Sequence, residues 1–95
     1  MEGFNIFKDI IEFETIKLIF NLDNDLVILE CHKDEYMKDI IKRYTSKIDK
    51  DSKDCFFLYN GDIINEELKL SDVYNIIYDD EMNILVNEYK YDNNE

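Results

Sequence analysis

His32, the only histidine of the chain, sits beside Cys31, and an imidazole next to a thiol is the pairing from which a nucleophilic cysteine is made. Such catalysis needs both side chains to converge on one point, whereas neighbours along a strand point to opposite faces. The pair therefore reads as a core cysteine followed by a surface histidine. The acidic runs Asp79-Asp80-Glu81 and Asn65-Glu66-Glu67 carry oxygen ligands of the kind calcium takes. They lack the alternating ligands and central glycine of a twelve-residue calcium loop, and solvated loops are the simpler reading. No glycine-rich phosphate loop, CxxC or HExxH occurs. The sequence thus offers no residues to an enzyme, and neither a metal nor a cofactor is expected.

Net charge narrows the partners. The chain has 95 residues and a formal charge of −12, unevenly spread: residues 1–33 carry −4, residues 34–59 are neutral and residues 60–95 carry −8. A field of that sign repels phosphate backbones and anionic lipid, so nucleic acid and membranes are not expected as partners. A protein partner with a basic rim fits better. Cys31 and Cys55 occupy apolar, strand-like positions and read as reduced core residues rather than a disulfide framework. No apolar run approaches the roughly 18 residues of a membrane span, and the N-terminus lacks the layout of a signal peptide. A cytoplasmic or nuclear location follows as the expectation.

The elements come from periodicity. Ile16, Leu18, Phe20 and Leu22 alternate with Lys17, Ile19 and Asn21; after Asp23, Asn24 and Asp25, Val27, Leu29 and Cys31 alternate with Leu26, Ile28 and Glu30. That pattern predicts an antiparallel hairpin. Asp34 is placed to cap a helix from about residue 35 to 47, with Met37, Ile40, Ile41, Tyr44 and Ile48 on one buried stripe and Lys38, Lys42, Arg43 and Lys47 opposite. A charged connector leads to a strand over residues 55–60, a tight turn at Gly61, a short apolar step at Ile63 and Ile64, a compact turn over residues 70–76 and a last strand from Met82. With no proline and only two glycines, turns fall to residues such as Asn24, Asn60 and Asn75. One helix crossing a mixed sheet is an α+β plan with one sheet face left over. Before it, Phe4, Phe7 and Ile11, with Ile6, Ile10 and Phe13, can stripe a short amphipathic helix that docks either on its own domain or on a second copy, giving a dimer.

Residues 16–86 resemble the ubiquitin superfamily, whose fold is the β-grasp. The resemblance rests on the strand pair, the single helix, Phe57-Leu58-Tyr59-Asn60-Gly61, the apolar Ile64, and Leu70-Ser71-Asp72 followed by Tyr74-Asn75-Ile76, similar to a ubiquitin run with Val73 inserted. Small modifiers of the SUMO type are a weaker match. The resemblance implies a sheet order of second, first, fifth, third strand plus a short strand. It also implies an outward row of Ile28, Ile19, Leu85 and Leu58 with Phe56 beside it. Leu58 and Leu85 stand where ubiquitin has its central apolar patch, while Asn83 replaces the patch histidine, Phe56 a basic residue and Asp62 a chain-forming lysine. The apolar centre is kept and the basic rim lost, so receptors shaped for ubiquitin should bind poorly. Conjugated relatives end in Gly-Gly, whereas no glycine follows Gly61.

Three regions are expected: an apolar extension (1–14), a ubiquitin-like domain (15–88) and an acidic tail (89–95). The expected function is that of a non-enzymatic, non-conjugated interaction module. Its partner-binding residues would be Ile19, Ile28, Phe56, Leu58, Asn83 and Leu85. Burying the four aliphatics, at about 1.5–3 kcal/mol each, against an association cost of about 4–15 kcal/mol, suits a modest contact. The alternatives are a covalent modifier whose processed tail lies outside this stretch of chain, or a structural subunit of a larger assembly.

Overall fold

The computed structural model describes residues 14–74 and 80–89. The expected helix in residues 1–13, the turn residues Asn75 and Ile76, and the tail past residue 89 lie outside them. Strands β1 (Thr15–Leu22) and β2 (Asp25–His32) form the expected hairpin. Its loop is the pair Asp23 and Asn24, both at positive φ (53° and 72°), the backbone of a type I′ turn whose twist matches that of the strands. Asn21 Oδ1 accepts the Asn24 N–H at 2.9 Å and ties the loop to β1.

Helix α1 (Met37–Lys47) buries Met37, Ile40, Ile41 and Tyr44 and leaves Lys38, Lys42, Arg43 and Lys47 exposed, as the stripe predicts. Its start differs from the expectation. Asp34 does not cap it; the N-cap is Tyr36, which makes no side-chain capping bond. The first helical amides instead donate to main-chain carbonyls of a distant loop, Met37 N–H to Leu68 O at 2.8 Å and Lys38 N–H to Glu66 O at 3.1 Å. The same contact runs in reverse, since Leu70 and Ser71 donate to the carbonyls of Glu35 and Lys33. A helix end needs acceptors for its free amides, and here tertiary structure supplies them. The helix closes on Asp49 at φ 60°, with Lys50 N–H to Thr45 O and Asp49 N–H to Ser46 O. That is a Schellman end, with aspartate where glycine is usual.

The charged connector makes one 3-10 turn (Ser52–Asp54) and enters β3 (Cys55–Tyr59). Asn60 (φ 54°) and Gly61 (φ 86°) turn the chain into the two-residue β4 (Asp62–Ile63). The short helix α2 (Leu70–Val73) drops Leu70 into the core, and Asp72 Oδ2 accepts the Lys69 N–H at 3.2 Å. Strand β5 (Glu81–Glu88) then runs up the middle of the sheet, parallel to β1 and antiparallel to β3. The order across the sheet is β2-β1-β5-β3-β4.

α1 lies across one face of this sheet, and the core fills the layer between them. Phe20 and Tyr44 stack with ring centroids 4.3 Å apart, and Phe57 meets both edge-on. Cys31 and Cys55 are buried free thiols, as expected. Among the described residues no helix is long and apolar enough to cross a membrane.

Candidate interaction face

Because side chains alternate along a strand, filling the helix-facing side with Leu18, Phe20, Leu29, Phe57 and Ile84 sends their neighbours to the other side, which no described element covers. Ile28 is 59% exposed and Leu85 49%; Asn83 is exposed; Ile19, Phe56 and Leu58 are half-buried. All six expected partner-binding residues therefore lie on one face. Their register differs from the row expected. Ile19 pairs with Ile28 on one side and with Asn83, not Leu85, on the other, while Leu85 pairs with Leu58 and Asn21. The patch is three rows deep: Ile28, Ile19 and Asn83 in one, Leu26, Asn21, Leu85, Leu58 and Ile63 in the next, and Asn87 with Phe56 in the third. A parallel β1·β5 register depends on how long the chain between α2 and β5 is, and the alternation of neither strand encodes it.

Three large apolar residues join the face that the expected set omitted. Leu26 is 60% exposed and Ile63 66%, and Tyr89 lays its ring against Phe56 with centroids 4.9 Å apart. Leu26 carries a signal in the sequence, since it alternates with the Val27-Leu29-Cys31 series that faces the core. Ile63 carries none, because its direction is fixed only by pairing with Leu58. Ile19, Leu26, Leu58 and Leu85 line an open groove of about 500 Å³.

Among the described strand residues, outward charges are confined to one row at the start of β1, where Lys17 lies between Glu30 and Glu81, and the Thr15 hydroxyl donates to Glu30 at 3.1 Å. The rest of the patch is apolar or amide. Cys31 and His32 diverge as strand neighbours must: the thiol is buried and the imidazole exposed. Burial pushes the Cys31 thiol up to about 11, against the pull of Arg43 beside it, so it is a thiol and not a thiolate at neutral pH.

The strand order is the decisive observation: a hairpin, a crossing helix, and a last strand inserted parallel to the first in mid-sheet. The fold is the ubiquitin-like β-grasp. Solved structures agree. The ubiquitin-like domain of an Arabidopsis thaliana protein superposes with a TM-score of 0.71 at 11% identity, covering 87% of this chain and 86% of that one. Caldiarchaeum subterraneum ubiquitin gives 0.69 at 9% identity, covering 81% of this chain and 96% of that one. The N-terminal ubiquitin-like domain of the protein named 4931431F19Rik gives 0.67 at 12%, covering 86% and 82%. No family model and no curated protein sequence matches the chain. Identities this low speak to the ubiquitin-like fold alone, and function has to be argued from the face.

Proposed function

We propose that this ubiquitin-like domain is a non-enzymatic, non-conjugated interaction module that binds a protein partner through its open sheet face. The observation that carries the reading is the apolar patch itself. Leu26, Ile28, Leu85 and Ile63 are each about half exposed or more, on a sheet side where solvated positions should be polar. With a chain charge of −12, the partner suited to it presents apolar anchors ringed by basic residues. Two buried free thiols suit a reducing compartment, the cytoplasm or nucleus.

The end of β5 is tied to the rest of the domain. Here Glu88 pairs with Lys50 at 2.7 Å, the Tyr89 N–H donates to Asp54 O at 2.9 Å, and the Tyr89 ring rests on Phe56.

The test is a capture from source cells with the wild type, Leu58→Glu, Leu85→Glu and, as a control on the helix side, Lys47→Glu. A partner held by the wild type and the control but lost with both face variants, and released by denaturation, is the expected result. Equal capture by all four would refute the face. Adducts that survive denaturing, reducing electrophoresis would refute the non-conjugated reading in favour of a modifier.

A further inference from the structure

Besides the open face, the sheet has an open edge. β2 stands outermost in the order β2-β1-β5-β3-β4, and the opposite edge is only the two-residue β4. The closing pair Leu22 and Asp25 fixes which residues of β2 bond to β1: Val27, Leu29 and Cys31 bond inward, while Leu26, Ile28, Glu30 and His32 point their N–H and C=O groups away from the sheet. At one end these groups are taken. The His32 N–H donates to Glu35 Oε2 at 2.7 Å, its carbonyl accepts the Glu35 N–H at 3.0 Å, and Arg43 Nη2 reaches Glu30 O at 3.4 Å. Among the described residues nothing meets the N–H and C=O of Leu26 and Ile28 or the N–H of Glu30. Long edges are usually blunted by proline, lysine, a bulge or a covering segment. Among the described residues this stretch shows none of them, and its Leu26 and Ile28 side chains are exposed.

This edge is complementary to itself. With a second β2 laid antiparallel beside it and Ile28 opposite Ile28, the two Ile28 residues exchange both bonds and Leu26 faces Glu30 on either side, so every open N–H finds a carbonyl. Glu30 O can serve Arg43 and Leu26 together, since a carbonyl accepts two bonds. Shifting the pairing by two residues would set Leu26 against His32, whose groups Glu35 holds, or Glu30 against Asn24 in the turn. The same register sets unlike charges together: Asp23 comes opposite Lys33 of the second copy, and Asp25 lies one position from its His32. Lys33 also pairs with Glu14 at 3.7 Å, so these contacts select the register more than they strengthen it. Two chains of −12 repel, but salt near 0.15 M screens that field beyond about 8 Å, which leaves a weak dimer and not a forbidden one.

We propose that the chain pairs with a second copy of itself through β2, antiparallel about a two-fold axis at Ile28. Residues directly opposite in such a pair share a face, so the axis is perpendicular to the sheet, both helices lie on one side and both apolar faces on the other. The dimer closes the long edge and sets two patches side by side, a surface for a partner with two anchors. This goes beyond the proposed function and does not need it, since Leu58 and Leu85 lie on strands away from the edge.

The test is sedimentation of the full chain in reducing buffer at about 0.15 M salt, from about 10 μM to about 1 mM, the range in which so small an interface associates. The wild type should pass from monomer to dimer across it, and the amide signals of Leu26, Ile28 and Glu30 should move with concentration. Ile28→Lys and Ile28→Glu, each placing like charges on the axis, should stay monomeric with dispersed spectra, and an equimolar mixture of the two should recover the dimer. A wild type that is monomeric throughout would overturn the proposal. So would a dimer that survives in both single variants, which would place the contact elsewhere on the chain, or a mixture that stays monomeric, which would deny the axis at Ile28. Should either variant fail to fold, the wild type's own signals decide, and movement confined to residues off β2 refutes the edge. Partner capture is read in Leu58→Glu and Leu85→Glu, which leave the edge intact, so either reading can fail alone.

Discussion

Tyr44 shows what a side chain gives up to reach the centre of this core. Its ring stacks on Phe20 and meets Phe57 edge-on, yet its hydroxyl is buried with no hydrogen-bond partner. A buried donor left unpaired costs about 1–3 kcal/mol. Tyr44→Phe keeps the rings and removes the orphan, so the variant should be as stable as the wild type or more stable by about 1 kcal/mol in urea unfolding. The two sheet faces separate by the same reasoning. Phe57→Ala should cost about 3–5 kcal/mol and Ile84→Ala about 2–5, because each leaves a cavity where the wild-type side chain is almost wholly buried. Leu85→Glu, at a position half exposed on the open side, should change stability by less than about 0.5 kcal/mol. Denaturant midpoints with dispersed amide spectra would verify the contrast, and an unfolded Leu85→Glu would contradict the face.

Turns set the register of the strands they join. Gly61 turns β3 into β4 at φ +86°, and a Cβ there would meet nothing within 4 Å. Any loss in Gly61→Ala is therefore a backbone loss, since an L-residue pays about 1–2 kcal/mol to enter the left-handed region. A fall in unfolding free energy of that size, with the contacts around Ile63 unchanged in spectra, is the expected outcome. Asp49 already bears such a conformation at the end of α1, offset by the two Schellman bonds it permits. At the other end of α1, the carbonyls of Glu66 and Leu68 take the place of a capping side chain. The loop before α2 thus belongs structurally to α1 as much as to its own segment.

For the whole molecule, alkaline pH is the condition that tests burial. Burial raises the Cys31 thiol from 9.0 to about 11 and moves Cys55 and Tyr44 in the same direction. Each folded-state pKa thus lies above its unfolded value, so between pH 9 and 11 the folded chain holds more protons than the unfolded one. Stability present in full below pH 9 should fall as pH rises toward 11. Urea midpoints at pH 8 and pH 10 would reveal the loss, and Cys31→Ala should make the fall shallower. A midpoint that does not move would show the thiol to be solvated.

Local patterns in the chain determine much of this protein. The period-two runs from Ile16 and from Leu26, the stripe from Met37 to Ile48, and the turn chemistry at Asp23-Asn24 and Asn60-Gly61 each fold as they read, because every one of these signals involves neighbours a few residues apart. The outward positions of Ile19, Ile28, Phe56, Leu58, Asn83 and Leu85 follow from the same alternation. Tertiary structure decided what depends on distant segments meeting. The β1·β5 register put Asn83, not Leu85, beside Ile19; pairing with Leu58 turned Ile63 outward; the 66–68 loop, not Asp34, supplied the acceptors at the start of α1. A strand's own alternation is the same in every register that differs by two residues, and a carbonyl thirty residues away leaves no mark on the sequence of the helix it caps.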